Sequence, residues 1–487
     1  MQLLVRAIPF KNWPFITPSA RPLCCRINYD EVINQDKDSK ALHCQPTWFS
    51  QSTWQARHNP SRGYCAALNC YTERTTIAIV SGSTLRIIHV MDHSLPKADG
   101  YSIRAKYLLE AQAASGHEIT VLTSPSQGAD AEDLFTAGIC YRRTRYSRWE
   151  KKIAESGGKQ FVFGRAISRE LSSLLEVTRF DVVHAHTPFT VARIALVEAR
   201  KRHIPFVYEK RNLWEESARA RGKYSGKWPF FQVAKAVDRW VTVRADAVCT
   251  ITEALKANTI SLGASADRVF VVGNGADIST FAPRMPEPEL RSQCLRGGNF
   301  VIGFLGSFFS FEGLPMLVEA YASLRPRFPG ARLVLVGDGE DRKRVEHLVN
   351  KLGVADGVWM VGSIPHSKVP DFYAAMDVLV YPRNPSKLTE MISPLKPLEP
   401  MAMGRCVIGS NVGGICELIR ENESGLLFSA GSTSSLIEKL ESLLSGQIDA
   451  SSVGRKARDF VVNQRQWRHM AENYGLAYAR ATEQLRT

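Results

Sequence analysis

The sequence predicts an α/β protein built from two consecutive doubly wound units that face each other across a cleft. Three observations predict it. Short apolar runs alternate with helical stretches from Leu85 to about Asp277, and the same alternation restarts at Asn299. Between the two series lies PRMPEPELRSQCLRGGN, proline-rich and then glycine-rich. The 487 residues also exceed one ordinary core.

Residues 1–83 mix Pro, Trp, Cys, Asn and Ser with no sustained period, and are expected to form an irregular, disordered extension. The start, MQLLVRAIPFKNWPF, lacks the uninterrupted apolar stretch and small-residue cleavage site of a secretory signal. Its Arg and Ser content fits a transit peptide weakly, and a reading frame begun too far upstream is the alternative. A protein starting near Ser83 is expected to stay soluble and active. Five of the ten cysteines fall in the first seventy residues, and none makes a CxxC or Cys/His metal spacing, so free or buried thiols in a reducing compartment are expected.

The first unit, residues 84–285, opens with LRIIHVMDH, a buried parallel strand by pattern. A loop with Gly100, a helix over Tyr101–Ala114 and a strand over Glu118–Thr123 complete a βαβ unit. Further strands are expected at Ile139–Arg142, Phe180–Pro188, near Ile204, at Ala247–Ile251 and at Arg268–Asp277. His184 and His186 are two apart, so on a strand they share a face. Glu209 and Arg211 stand in the same relation on the next strand, either paired or lining one cleft. The loop SLPKADGY lacks G-x-G-x-x-G, which argues against a dinucleotide.

Residues 286–298 are expected to be a linker and residues 299–464 a second Rossmann-like unit. Its strands lead into Gly306, into Gly337–Gly339 and into YPRNPSKLTEMISPLKPLE. Residues 465–487 read as a polar helix anchored by Trp467 and Tyr474, with a crossing back to the first domain one option.

Tyr381 to Glu417 gathers the most chemistry. Ser393–Pro394 has the pattern of an N-cap and first-turn proline. Arg383, Lys387 and Lys396 surround that expected helix start, which suits a phosphate. Glu399 is an odd neighbour for an anion unless it accepts hydroxyl hydrogen bonds, as from a ribose.

Net charge is +14, which favours acidic partners. Tyr141 to Glu170 holds nine cations against three acids. At about 1 kcal/mol per cation such a patch can hold a protein on an anionic leaflet; a solvated basic face is the equal alternative. Nucleic acid is disfavoured, because no zinc spacing, recognition helix or single-strand aromatic motif accompanies the charge. No uncharged apolar run reaches the eighteen residues of a membrane span.

DVVHAHTP, ADAVCTITEALK, VVGNGADISTF, VLVGDGED, VWMVGSIPHSKVPDFYAAMDVLVYP and PLKPLEPMAMGRCVIGSNVGGICELIRENESGLLF together resemble the family-4 retaining glycosyltransferases of the GT-B fold. HVMDHSLPKADGY, YEKRNLWEE, FLGSFFSFEGL and TEMISPLKPLE are most similar to the branch associated with exosortase-type exopolysaccharide systems. The resemblance implies that a hexose passes from a nucleotide-diphosphate donor, with retention, to a saccharide or lipid-linked saccharide. The C-terminal domain would bind the donor and the N-terminal domain the acceptor. Glu399 matches the second glutamate of the family's E-x7-E motif, which bonds the ribose. His186 matches the acceptor-side histidine near the reacting centre, with His184, Glu209 and Arg211 on that side. Gly337 and Gly339 match the loop beside the nucleotide, and Gly100 the glycine that lets backbone approach the phosphates.

Three departures stand out. Met391 occupies the place of the first motif glutamate, and Glu390, one residue early, is kept as its candidate. Ser307 and Glu312 replace the usual diphosphate-binding arginine and lysine, so Arg383, Lys387 and Lys396 are expected to substitute. Pro400 should kink its helix. No metal or other cofactor is expected beyond the nucleotide sugar. Location in the cytoplasm, with peripheral contact at the inner membrane face, goes with this reading. A non-catalytic sugar-nucleotide sensor or assembly protein, or a nucleotide-sugar epimerase, is the alternative.

Overall fold

The computed structural model describes residues 84–483 except 98, 129–131 and 221–228. The expectations for residues 1–83 lie outside the described residues.

The first sheet contains β1 (Arg86–Met91), β2 (Glu118–Thr123), β3 (Leu134–Thr136), β4 (Ile139–Arg143), β5 (Val182–His186), β6 (Phe206–Lys210), β7 (Ala247–Thr250) and β8 (Val269–Val271). Their order is β3-β4-β2-β1-β5-β6-β7-β8, parallel except for β3 on β4. The sequence reading missed β3. It is joined to β4 by Ala137 and Gly138, both at positive φ (51° and 75°), the backbone that a two-residue hairpin needs.

Strand alternation divides the interior into two layers. Ile88, Val90, Val183 and Ala185 pack with helices Lys159–Val177, Phe189–Lys201 and Pro229–Arg244. Ile87, Met91, Val182 and Val207 face helices Gly100–Ala114 and Trp467–Glu483. The last helix lies against the first sheet through Trp467, Met470, Tyr474, Ala477 and Tyr478, and Trp467 stacks on Tyr107 at 5.7 Å.

The second sheet has β9 (Phe300–Leu305), β10 (Ala331–Val336), β11 (Val358–Gly362), β12 (Val378–Tyr381), β13 (Cys406–Ser410) and β14 (Leu426–Phe428), all parallel, in the order β11-β10-β9-β12-β13-β14. In each sheet the chain reverses winding direction beside its first strand: between β1 and β5, and between β9 and β12. Open sheets of this kind bind ligands at the carboxyl ends of those strands.

Two expectations are corrected. The segment expected as a linker contains a helix, Pro288–Leu295. Pro288 sits in the first turn, where its missing N–H costs nothing. Cys294 is buried, and Arg291 pairs with Asp377 at 2.9 Å, so the helix is docked on the second domain. The helix expected from Ser393 begins instead at Leu398 and ends at Ala402. Pro400 therefore lies in a first turn, its N–H is not missed, and no kink follows.

Candidate active site at the two switch points

A buried polar row runs through the inner layer of the first domain. His89, His184, His186, Glu209 and Arg211 point from β1, β5, β6 and the end of β6 toward the helices Gly100–Ala114 and Trp467–Glu483, and none exceeds 6 % exposure. Glu209 is at its centre. One carboxylate oxygen accepts from Arg104 (3.0 Å) and from Arg211 Nε (2.9 Å). The other accepts from the Tyr474 hydroxyl at 2.6 Å and lies 3.4 Å from His184 Nε2. Burial opposes a charged Glu209, but Arg211 and then Arg104 outweigh it and hold the carboxyl well below its ordinary range. Glu209 and Arg211 are thus paired, which resolves the alternative the sequence left open.

His186 is wired on both nitrogens. Arg211 meets Nδ1, while Nε2 lies 2.9 Å from His89 Nδ1. Glu209 also lies 3.2 Å from Nδ1. A guanidinium can only donate, so Nδ1 accepts and Nε2 carries the hydrogen. His89 passes the polarity on to Gln112 Oε1 at 3.2 Å. Burial and then Arg211 push His186 well below the usual histidine range, leaving it neutral. His184 is fully enclosed and bonds the Tyr478 hydroxyl at 2.9 Å, so it fastens the last helix to β5 and faces no opening.

His89, His184 and His186 form the one group among the described residues whose ligand atoms could surround a metal, all within 4.8 Å of one another. The surroundings fit a cation poorly. Arg211 occupies His186 Nδ1, and Arg104 and Arg211 leave Glu209 no negative charge to spare.

Beside this row is the loop after β1. Asp99 caps the helix that starts at Gly100, accepting from Ser102 N at 2.9 Å. His93 bridges Asp92 (3.0 Å) and Asp99 (2.8 Å). Burial disfavours its charge, yet the two carboxylates raise it to about 9. A Cβ on Gly100 would meet only Leu395 of the other domain, at 3.8 Å.

At the second switch point Lys396 lies over Gly306, and a Cβ there would fall 2.4 Å from its Nζ. Gly337 and Gly339 are required by close packing on the Gly306–Phe308 backbone. Glu312, nearly buried, accepts from Lys396 at 3.0 Å and lies 3.7 Å from Arg383 Nε. Two of the three expected substitute cations, Lys396 and Arg383, therefore share an internal counter-anion. Arg383 also donates to Ile392 O at 2.9 Å, bracing the loop. Glu399 is half-buried, accepts from the Tyr373 hydroxyl at 2.8 Å, and is raised to about 7 by burial, with Tyr373 and Lys396 pulling the other way. Lys387 reaches across to Glu216 of the first domain at 3.7 Å. Glu390 is exposed and its carboxylate accepts from Gly413 N at 2.7 Å. Glu390 and the first-domain histidines share no hydrogen bond among the described residues. Met391 instead packs on Leu213, Ile251 and Leu255.

Ser393 serves as a strut between domains rather than a helix cap. Asn274 Nδ2 donates to its carbonyl at 2.9 Å, and Asn274 Oδ1 accepts from Arg104 at 2.8 Å. A continuous polar chain thus runs His186–Arg211–Glu209–Arg104–Asn274–Ser393. His89, Arg104 and Gln112 escaped the sequence reading. For His89 a signal existed: a polar residue on the same strand face as Ile87 and Met91.

A model described as "Glycosyl transferases group 1" matches residues 287–460, and one described as "Glycosyltransferase Family 4" matches residues 98–280. With two parallel-sheet domains joined across this junction, the chain is a glycosyltransferase of the GT-B type, and it is family-4-like. It is similar to an uncharacterised glycosyltransferase of Methanocaldococcus jannaschii, 25% identical over 79% of this chain and 95% of that protein. It is also similar to a phosphatidylinositol N-acetylglucosaminyltransferase component of Arabidopsis thaliana, 24% identical over 69% of this chain and 70% of that one. Among solved structures, Anabaena HepE in complex with UDP superposes with a TM-score of 0.63 at 17% identity, covering 80% of this chain and 98% of that one. No helix among the described residues is long and apolar enough to cross a membrane.

Proposed function

We propose that the chain is a retaining hexosyltransferase that takes a nucleotide-diphosphate sugar at the second switch point and a saccharide or lipid-linked saccharide at the first, in exopolysaccharide assembly. The observation that carries this reading is Lys396, in the turn just before the helix that bears Glu399, lying over Gly306 at the carboxyl ends of β9 and β12. Glu399 is the ribose acceptor; Lys396 and Arg383, with Lys387 at the rim, offset the diphosphate charge. Support for a uridine donor comes from HepE, whose structure holds UDP, and support for a lipid-linked acceptor from the name of the Arabidopsis relative.

In this reaction the bond from the anomeric carbon to the diphosphate oxygen breaks and one to the acceptor oxygen forms on the same face. The acceptor proton passes to the departing phosphate oxygen. No protein nucleophile and no metal is called for. His186, with both nitrogens engaged, works through Arg211 as part of the wall that orients the acceptor. Gly100 leaves room for the donor's phosphates at the domain junction. This work would take place in the cytoplasm, at the inner face of a membrane.

A second reading has one observation in its favour: Glu312 already offsets part of the positive charge of Lys396 and Arg383, as a sugar-nucleotide sensor or assembly protein could tolerate. Incubation with a panel of nucleotide sugars and saccharide acceptors, read by NMR of the product's anomeric signal, separates them. A product with the donor's anomeric configuration is expected. Nucleotide binding without turnover on any donor would favour the sensor, and free nucleotide released with an epimerised sugar would favour an epimerase.

A further inference from the structure

The basic segment Tyr141 to Glu170 folds into two helices, Arg148–Ile153 and Lys159–Val177, joined by a tight turn in which Gly157 has φ 90°. Their outer surface carries more than charge. Trp149 is 46 % exposed, Ile153 36 % and Phe161 64 %. Trp149 and Ile153 are four apart on one helix and so share a face; Phe161 and Arg165 share one on the next. The Arg165 guanidinium lies 5.1 Å from the centre of the Trp149 ring, which makes the two faces continuous.

Around these apolar groups stand Arg148, Lys151, Lys152, Lys159 and Arg165, all exposed, and among the described residues no ion pair engages any of them. Glu150, the acid nearest the centre, is buried and bound to Arg169, and Glu155, in the turn that joins the two helices, is exposed. Large apolar side chains set among unpaired cations are unfavourable in water alone. They fit a surface that offers anionic headgroups outside and hydrocarbon beneath.

We propose that this surface docks the protein on an anionic lipid bilayer, with Trp149 and Phe161 entering the headgroup region and Lys151 and Lys152 holding lipid phosphates. The inference does not depend on the donor or acceptor proposed above. Duplex nucleic acid would need only the charge; the aliphatic Ile153 beside the aromatic pair, and a Trp149 ring already covered by Arg165, favour lipid over stacked bases.

The test is co-sedimentation of the full chain with phosphatidylcholine vesicles, with and without phosphatidylglycerol. Binding to the anionic vesicles alone is expected. Lys151→Glu with Lys152→Glu should lower the partition coefficient by at least about fivefold for each lysine. Trp149→Ser with Phe161→Ser should lower it about tenfold, with the circular dichroism spectrum and thermal midpoint unchanged because both side chains are exposed. Phe161→Ser alone is the milder variant should the pair disturb folding, and should also reduce binding. No binding to anionic vesicles would overturn the proposal. So would aromatic variants that bind as the wild type does, and so would displacement by a short RNA whose own binding needs the lysines but not the aromatic pair.

Discussion

Glu209 is buried with two guanidinium groups that have no other carboxylate among the described residues. Glu209→Ala would leave Arg104 and Arg211 as uncompensated interior charges, at a cost of about 3–5 kcal/mol. A denaturant titration is expected to show that loss, whereas Tyr474→Phe, which removes one hydrogen bond to the same carboxylate, should cost only about 1–3 kcal/mol. Glu399 differs because its pKa is raised to about 7 rather than lowered. A carboxyl raised on folding is protonated more readily in the folded state, so it contributes stability below its unfolded value near 4.5, and that contribution fades as pH climbs through 7. In the proposed site its ligand dependence has the opposite sign, because ribose hydroxyls would bond best to the carboxylate. Nucleotide affinity should therefore rise between pH 6 and about 8 in the wild type and stay level in Glu399→Gln; equal slopes in isothermal titrations would remove Glu399 from the ribose. His93, raised to about 9, holds its loop most firmly below about 6.5, and that contribution is lost as pH passes 9.

At the scale of elements, the last helix is part of the first domain's interior. Ala477 and Ala481 are fully buried there, and Tyr474 and Tyr478 bond into the polar row. Ala477→Glu should destabilise the first domain by about 3 kcal/mol or more, read as a lower first transition in calorimetry. An unchanged melt would mean that the helix is not docked. Much of this level was legible from the chain. Apolar runs such as RIIHVM and ARLVLV are short, bounded and β-rich, so their strands could be placed. The helix before β9 could not, because Pro283, Pro286 and Pro288 resemble a linker until burial of Cys294 is known. Ser393 followed by Pro394 gave a genuine local cap signal, and a tertiary contact from Asn274 overrode it. The pairing of Glu312 with Lys396 was hidden for a simpler reason: 84 residues separate them, and the parallel pairing of β9 with β12 brings them together.

At the scale of the molecule, the two domains meet through a few identifiable contacts. The Thr252 hydroxyl donates to Met391 O at 2.6 Å, Asn274 to Ser393 O at 2.9 Å, and Glu253 N to Glu417 Oε1 at 2.8 Å. Met391 packed on Leu213, Ile251 and Leu255 and the Lys387–Glu216 pair at 3.7 Å complete a junction of mixed character, which permits domain motion. Thr252→Val with Asn274→Ala removes two of these bonds, each worth about 1 kcal/mol. Small-angle scattering of the nucleotide-free variant should then show a larger radius of gyration, and an unchanged one would mean that other contacts hold the cleft closed. The central claim is that a nucleoside diphosphate is gripped where Lys396 and Glu399 meet the end of β9. Isothermal titration of UDP, GDP and ADP into the wild type, Lys396→Ala and Glu399→Ala tests it most directly. At least one nucleotide should bind the wild type and lose about tenfold or more in affinity with each substitution, as expected for removing a charge-assisted hydrogen bond. Equal affinity in all three proteins would place the nucleotide elsewhere and contradict the claim.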